Sequence, residues 1–356
     1  VVAFYDGRMT FPLLRHALLA CVLVLCSCRT VGFYSQAMRG QTEIWRRQKP
    51  VETVLADPAE KEAVKAKLRL ALELREYAKT TLKLPAESFG TYSDLKRPYV
   101  VWVVYAAEPF SVEPKQWRYP FVGRLAYRGF FDQEDARQEV LSLKATGHDV
   151  FAAGVEAYST LGFFKDPLLN TCIHRSEAEF AELIFHELTH ARLFIPGDTD
   201  FNEAFATANA EAAVRQWLRS KGRGAELREY EAHLKRDRAM ISLALGTRQE
   251  LKKLYATPGR TLEQKNALLS RLQARLAAMG VKDKAVDAKS GADLKITWNN
   301  ARLNTLATYH DLVPGFERLL RESHGDVEAF YAAVEKLKPL PKDERRRVLM
   351  GGRIND

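Results

Sequence analysis

The stretch FHELTH at residues 185–190 is the main evidence in this sequence for its fold and its chemistry. His186 and His190 are four residues apart, and residues at that spacing lie on one side of a helix, where both imidazoles can reach one metal ion. Glu187 follows the first histidine, a position from which a carboxylate can hold a water molecule beside the metal. Polar side chains of this kind are costly to bury in an apolar helix without a partner, and a metal ion supplies that partner.

The sequence around the motif predicts a helix from about residue 177 to residue 194. Ser176 is followed three residues later by Glu179, which is the spacing of a capping box. An apolar run then leads into the motif at Phe180, Leu183, Ile184 and Phe185. We therefore expect both histidines to project from the same face of one helix.

A catalytic zinc ion needs a third protein ligand and an open position for water. The stretch IPGDTD at residues 195–200 should end the first helix and turn the chain. Asp200 and Glu203 have capping-box spacing, which predicts a second, antiparallel helix from about Phe201. Glu203 would then face the histidines. We expect Zn²⁺ to be bound by His186, His190 and Glu203, with Glu187 as the catalytic base.

Other acidic residues near the turn leave alternatives open. Asp198, Asp200 and Glu211 are the alternative third ligands. Asp198 and Asp200 are also candidates to orient the free ring nitrogens of the histidines, since metal-bound imidazoles are usually held by such partners.

The rest of the sequence predicts an α+β protein with a small β-sheet and a predominantly helical C-terminal body. Helices are expected within residues 29–95, and β-branched and aromatic residues predict strands at about 99–107, 119–128 and 150–155. The strand at 99–107 could pair with an extended peptide or be a plain buried strand. Helical patterns follow at 177–194, 202–219, 225–256, 261–279, 297–310 and 327–337.

The first 28 residues predict an export signal. Positive charge precedes an apolar run that is too short to span a bilayer, and the run ends in Leu25-Cys26-Ser27-Cys28. This ending resembles a bacterial lipobox, which predicts lipidation of Cys28; a signal cut elsewhere or an N-terminal membrane anchor is the alternative. We expect one domain at 29–345, with N-terminal helices at 29–95, a sheet region at 97–156 and a helical body at 176–340, and then a tail at 346–356.

Composition narrows the classes of function. The formal net charge is +9, but Lys and Arg alternate with Asp and Glu along helical stretches, and no nucleic-acid-binding motif accompanies them. We therefore expect no nucleic-acid partner. Cys172 is the one cysteine beyond the predicted signal, so no disulfide can form within the remaining chain.

Several segments carry a family resemblance. NEAFA at residues 202–206 resembles the segment of gluzincin aminopeptidases that supplies the third zinc ligand. The chain as a whole resembles an aminopeptidase family of bacterial lipoproteins, from the lipobox and residues 32–41 through RPYVVW at 97–102 and YSTLG at 158–162 to NNARL at 299–303 and TYH at 308–310.

The resemblance implies a zincin-like fold that hydrolyses peptides or proteins, with the aminopeptidase label the weaker part. It also points to Tyr309 as the group that stabilises the oxyanion, with His310 and Tyr158 as alternatives. The chain lacks the segment that binds the substrate amine in aminopeptidase-N-like enzymes, so Glu108 and Glu113 are the candidates. A lipid-anchored protein of the bacterial envelope is implied, at the outer membrane and facing the periplasm. A zinc endopeptidase and a non-catalytic zinc-binding lipoprotein are the alternatives.

Overall fold

A computed structural model describes residues 32–119, 123–157, 165–281 and 298–352. Cys28, the predicted signal segment and Tyr158 lie outside the described residues. Among the helices that are described, none combines the length and the apolar character needed to cross a membrane.

Three helices open the described chain: α1 at residues 32–46, α2 at Val51–Ala56 and α3 at Glu62–Thr80. Helix α3 is amphipathic, and its buried residues recur every three or four positions: Val64, Leu68, Ala71, Leu74 and Ala78. This apolar stripe packs against the helix that carries the histidine motif. Helix α3 therefore supports the helix that carries the predicted metal site.

Within the described ranges, eight short strands form three small sheets. Their bounds are β1 Gln48–Pro50, β2 Thr91–Ser93, β3 Val101–Ala107, β4 Trp117–Tyr119, β5 Gly123–Leu125, β6 Arg128–Phe130, β7 Asp149–Val155 and β8 Leu168–Leu169. The sheet orders are β1-β2-β8, β6-β3-β7 and β4-β5. The prediction of one continuous strand at 119–128 was therefore wrong, because β4 and β5 form a hairpin of their own before β6 begins.

Strand β3 is the centre of its sheet, with β6 and β7 antiparallel on its two sides. Strand β7 pairs with the whole of β3, and β6 pairs with Trp102–Val104 on the other side, so β3 is an interior strand of the described sheet and not an edge strand. Helix α4 (Gln133–Ala145), which the sequence analysis did not predict, covers one face of this sheet. Val140 of α4 shares an apolar cluster with Val104 of β3 and Ala152 of β7. The other face carries Val101 and Val103 and looks toward the histidine motif.

The C-terminal half is a helical body. Its helices are α5 Glu177–Arg192, α6 Thr199–Ser220, α7 Gly224–Tyr255, α8 Leu262–Ala278, α9 Asn300–His310, α10 Val313–Glu322, α11 Val327–Glu335 and α12 Lys342–Leu349. An aromatic cluster of Phe201, Phe205, Phe316, Phe330 and Tyr331 joins α6 to α10 and α11. The architecture confirms the predicted α+β class with a helical body.

The end of the described chain is packed, not a loose extension. Helix α12 runs to Leu349, and both Val348 and Leu349 are buried in the main core. The packed structure thus continues past residue 346, where the sequence reading placed the start of a tail.

A buried polar network ties the sheet to the helical body. Lys265 of α8 is 4% exposed and donates to both carboxylate oxygens of Asp149 on β7, at 2.7 and 2.8 Å. The backbone N–H of Asn300 also donates to Asp149, at 3.0 Å, and the Asn300 side chain accepts from Tyr255 at 2.8 Å. Because charges are buried stably only when they are paired and hydrogen-bonded, this network fixes β7 against α8 and α9.

Candidate metal centre

Helix α5 positions the two histidines as the sequence predicts. The Ser176 side chain accepts from the Glu179 N–H at 3.3 Å, and the Glu179 carboxylate accepts from the Ser176 N–H at 3.0 Å, which confirms the capping box. The His186 and His190 rings lie one turn apart, with their centroids 4.9 Å from each other. Both imidazoles therefore project from the same face of α5.

The turn after α5 brings the next helix back alongside it. Gly197 has a φ of +80°, a backbone conformation that glycine adopts without strain. Helix α6 begins at Thr199, and Asp198, its N-cap residue, makes no side-chain capping bond. The predicted Asp200–Glu203 capping box was therefore wrong. Glu203 instead turns its carboxylate toward the histidines.

The three predicted ligands converge. Oε2 of Glu203 lies 3.2 Å from Nε2 of His186 and 3.7 Å from Nε2 of His190, and the ligand atoms of all three residues lie within 4.8 Å of one another. Neighbouring ligand atoms of a tetrahedral zinc site with bonds of about 2.0–2.2 Å lie roughly 3.3–3.6 Å apart. The spacing of the carboxylate from both histidines is close to what such an ion requires.

Burial and mutual charge set the protonation of the group. Burial, helped by the neighbouring His186, lowers the pKa of His190 to about 4, so this ring is neutral near pH 7. Burial also opposes charge on His186, but the hydrogen bond and charge of Glu203 outweigh it and raise the pKa of His186. The same pairing outweighs burial at Glu203 and lowers the pKa of its carboxyl. The site thus contains a carboxylate and a neutral imidazole, both competent metal donors.

His190 also lacks the contacts that a buried imidazole normally makes. Its side chain is 4% exposed, and its distance of 3.7 Å to Glu203 is too long for a hydrogen bond. Its Nδ1 is buried with no hydrogen-bond partner among the described residues. Because buried polar groups are normally satisfied, a metal ion bound through Nε2 would supply an interaction that His190 otherwise lacks. The three residues fit a metal ion.

The metal group opens onto a groove of about 550 Å³, called here the metal groove. One wall is the sheet face with Val101, Val103, Tyr105 and Tyr127, and the opposite wall is helix α5 with His186, Glu187 and His190. Glu187 lines the groove beside the histidines, and its negative charge contributes to the raised pKa of His186. A molecule in this groove would meet an apolar wall on one side and the candidate metal group on the other.

The alternative third ligands have other partners. Asp198 accepts from Arg345 at 2.8 Å, and Glu211 pairs with Arg215 at 3.2 Å and also with Arg238. Asp200 lies 3.9 Å from Arg346. None of these three acids belongs to the metal group or contacts a histidine ring of the motif in the described structure, so the suggestion that Asp198 or Asp200 orients those rings was wrong.

Of the three candidates for oxyanion stabilisation, His310 alone has a described side chain. Tyr309 lies in α9, which packs against α6, but its side chain is outside the described part of the structure, as is the whole of Tyr158. His310 lines a neighbouring pocket, not the metal groove, and burial lowers its pKa to about 4. The sequence-based assignment of Tyr309 therefore stays a prediction.

The acids suggested for amine recognition do not reach the groove. Glu108 is 68% exposed and pairs with His148 at 3.1 Å, and neither Glu108 nor Glu113 lines the metal groove. Two other glutamates, which the sequence reading missed, do line it: Glu156 at the end of β7 and Glu182 on α5. Glu182 could have been found, because it precedes His186 by four residues and so shares its helix face.

Comparison with known proteins supports the aminopeptidase part of the family resemblance. A family model described as "Putative aminopeptidase" matches residues 32–349. Comparisons with curated proteins and with solved structures gave no match. The match spans the sheet, the metal groove and the helical body. The chain therefore belongs to the family described as putative aminopeptidases.

Proposed function

We propose that this protein is a zinc-dependent peptidase, and specifically an aminopeptidase, with one Zn²⁺ held by His186, His190 and Glu203. One observation carries the proposal: two imidazole nitrogens and a carboxylate oxygen converge at a groove that Glu187 also lines. The family match favours peptidase activity independently of that geometry.

The donor set favours zinc. Two imidazoles and one carboxylate make up the ligand set of zinc metallopeptidases, in which the fourth position stays open for water. Zinc bound here would act as a Lewis acid toward a carbonyl group and would lower the pKa of a water molecule to about 7. The groove provides the open side that such a site needs.

Glu187 is proposed to move the proton. It follows His186 on α5 and lines the same groove, so its carboxylate can hydrogen-bond a water molecule that enters there. As the water attacks the scissile carbonyl, Glu187 accepts its proton and then passes that proton to the leaving amine. The single carboxylate therefore serves as base and then as acid.

Tyr309 is proposed to donate a hydrogen bond to the oxygen that becomes negative during attack. Its helix, α9, packs against α6, which carries Glu203, and also against strands β3 and β7. The backbone of Tyr309 is thus on an element next to the metal groove, and His310 and Tyr158 stay as alternatives.

The two alternatives differ in what they require. A structural zinc site is usually closed by four protein ligands and rich in cysteine. The described group has three ligands and no cysteine, which favours catalysis over a non-catalytic lipoprotein. A zinc endopeptidase would use the same metal group and differ in how it treats the substrate's amino end.

The proposed location rests on the sequence alone. The lipobox-like ending at Cys28 supports a lipid-anchored protein of the bacterial envelope, at the outer membrane and facing the periplasm, with peptides or proteins as substrates. Metabolic labelling with a fatty-acid analogue tests the anchor: label on the wild-type chain but not on Cys28→Ala supports it, and equal label on both rules it out.

One assay tests the enzymatic proposal. Purified protein is incubated with aminoacyl-p-nitroanilides and with internally quenched peptides, before and after dialysis against a chelator. We expect hydrolysis of the aminoacyl substrates that the chelator abolishes and that zinc restores. Chelator-resistant hydrolysis, or no hydrolysis of either substrate by zinc-loaded protein, would contradict the proposal; hydrolysis of the quenched peptides alone would favour the endopeptidase.

A further inference from the structure

Glu182 occupies the junction of two cavities. It lies on α5 one turn before His186 and lines the metal groove. It also lines a cavity of about 600 Å³ between α6, α7, α9 and α10, called here the second pocket, together with Thr207, Leu234, Met240 and His310. The Glu182 carboxylate therefore stands beside the metal ligands, where the two cavities meet.

The carboxylate of Glu182 lacks a cationic partner. It accepts a hydrogen bond from the Tyr230 hydroxyl at 2.8 Å, and no Lys, Arg or His of the described chain lies within 4.0 Å of it. The guanidinium of Arg175, which lines the groove, instead contacts Glu156 at 2.7 Å. Burial raises the pKa of Glu182, which shows that its negative charge is poorly compensated.

The other acids of the second pocket are all paired with a basic group. Glu211 and Glu317 share Arg238, Asp311 pairs with Arg346 at 2.9 Å, and Asp237 pairs with His233 at 3.1 Å. Glu182 thus differs from each of them. A buried carboxylate without a cation is costly unless a ligand supplies the missing charge.

The position of Glu182 relative to His186 limits the kind of ligand that its carboxylate can bind. In a peptide with a free amino end, the nitrogen lies about 2.5 Å from the first carbonyl carbon, since only the N–Cα and Cα–C bonds separate them. Glu182 and His186 are separated by one helical turn, a rise of about 5.4–6 Å. A carboxylate there can reach the amino group of a substrate whose first carbonyl lies at the metal ligands.

We propose that Glu182 binds the α-ammonium group of the substrate's N-terminal residue, held in place by the hydrogen bond from Tyr230. The inference rests on the proposed peptidase function and deepens it, because it names the group that makes the enzyme an aminopeptidase. A capped or internal residue offers an uncharged amide at this position and leaves Glu182 uncompensated. Peptides with a free amino end are therefore the substrates that the site selects.

Binding measured without turnover tests the inference. Zinc-loaded Glu187→Gln protein is titrated calorimetrically with leucinamide and with N-acetyl-leucinamide, which suit the apolar groove wall. We expect leucinamide to bind about 10- to 100-fold more tightly, as a charge-assisted hydrogen bond allows, and the added Glu182→Gln change to remove most of that preference.

Three further variants complete the test. Asp237→Asn, in the second pocket but already paired with His233, should keep the preference, whereas Tyr230→Phe, which removes the hydrogen bond that holds Glu182, should reduce it. If Glu182→Gln proves too unstable to titrate, Glu182→Asp keeps the charge but withdraws it by one methylene, and we expect a preference reduced at least about fivefold. Equal binding of the two amides by the parent protein, or full preference in a folded Glu182 variant, would overturn the inference.

The peptidase proposal and the ammonium-site proposal can fail independently, and the experiments distinguish the two failures. A protein that prefers leucinamide through Glu182 but whose wild type hydrolyses nothing would refute the peptidase and keep the ammonium site. A wild type that cleaves N-acetylated and free leucine p-nitroanilides with equal kcat/KM would keep the peptidase and refute the ammonium site.

Discussion

Asn202 holds the backbone of Ile195 by two hydrogen bonds: its side-chain oxygen accepts from the Ile195 N–H at 2.9 Å, and its side-chain nitrogen donates to the Ile195 carbonyl at 2.8 Å. Both residues are buried. This pair closes the turn between α5 and α6, and Glu203 is the next residue along the chain. The asparagine therefore fixes the angle at which α6 presents its carboxylate to His186 and His190.

Replacing Asn202 by alanine should weaken both the fold and the metal site. The change leaves the buried Ile195 N–H without a partner, while the Ile195 carbonyl keeps the Asp198 N–H at 3.2 Å, so we expect a loss of about 1–3 kcal/mol of unfolding free energy. Zinc affinity should fall at least about tenfold, because Glu203 loses its support. Urea unfolding and zinc titration measure the two effects. Asn304→Ala removes a buried asparagine that bonds Arg248 on α7 and serves as the control; an equal loss of zinc affinity there would refute the positioning role.

The buried pair of Arg345 and Asp198 should contribute strongly to stability. Their side chains are 9% and 3% exposed, and Arg345 Nη2 lies 2.7 Å from Asp198. Arg345→Met leaves the carboxylate buried without its main partner, so we expect a loss of about 3 kcal/mol in urea unfolding. The double change Arg345→Met, Asp198→Asn should recover part of it. Arg347→Met, in an exposed pair with Glu344, should cost less than about 1 kcal/mol.

A loss below 1 kcal/mol for Arg345→Met would contradict the prediction that its buried ion pair with Asp198 contributes strongly to stability. That outcome would mean the apolar contacts of Val348 and Leu349 hold α12 without help from the ion pair.

Local patterns in the sequence were sufficient to predict the motif helix and the three residues of the candidate metal group. The Ser176 capping box, the apolar run and the i, i+4 histidines all act within a few turns, so α5 was predicted to within two residues of its observed end at Arg192. Glu203 followed from the break at residues 195–200 and the return of a helical pattern. Signals of this kind depend only on residues within the segment whose structure they predict.

Other features depend on residues far apart in the chain and were missed for that reason. Asp198, the observed N-cap residue of α6, makes no capping bond and pairs instead with Arg345, 147 positions away. The spacing of Glu182 places it on the same face of α5 as His186, but its hydrogen bond with Tyr230 and its place in the groove depend on elements far away in the chain. The central position of β3 in its sheet likewise results from pairing with β6 and β7. The composition of a single strand does not determine which strands it pairs with.

Glu187→Gln should separate chemistry from metal binding. The amide keeps the size of the side chain but cannot accept the proton of the attacking water, so kcat should fall by about 100- to 10,000-fold while zinc content is unchanged. Glu177→Gln, on the same helix but 51% exposed, is the matched control and should retain activity. Activity in Glu187→Gln equal to that of the wild type would remove Glu187 from the mechanism.

Cys172 should be unreactive in the folded protein. Burial raises the pKa of its thiol to about 11, and the thiol donates to the Leu169 carbonyl at 3.2 Å. Because the folded state favours the protonated thiol, its contribution to stability is present below the unfolded pKa of about 8.5 and is lost as pH rises toward about 11. Mass spectrometry of the Cys172 peptide should show slow iodoacetamide labelling at pH 8 that rises with urea unfolding; fast labelling of native protein would contradict this.

The most direct test of the account is the zinc content of purified protein, measured by elemental mass spectrometry together with zinc affinity. We expect one zinc ion per wild-type chain, and we expect His190→Ala and Glu203→Ala to lower the affinity by far more than the roughly 10- to 100-fold loss that follows removal of an outer partner. Glu211→Gln, another buried acid of α6, should still bind one ion. Wild-type affinity in the His190→Ala and Glu203→Ala variants, or no zinc binding by the wild type, would contradict the central claim.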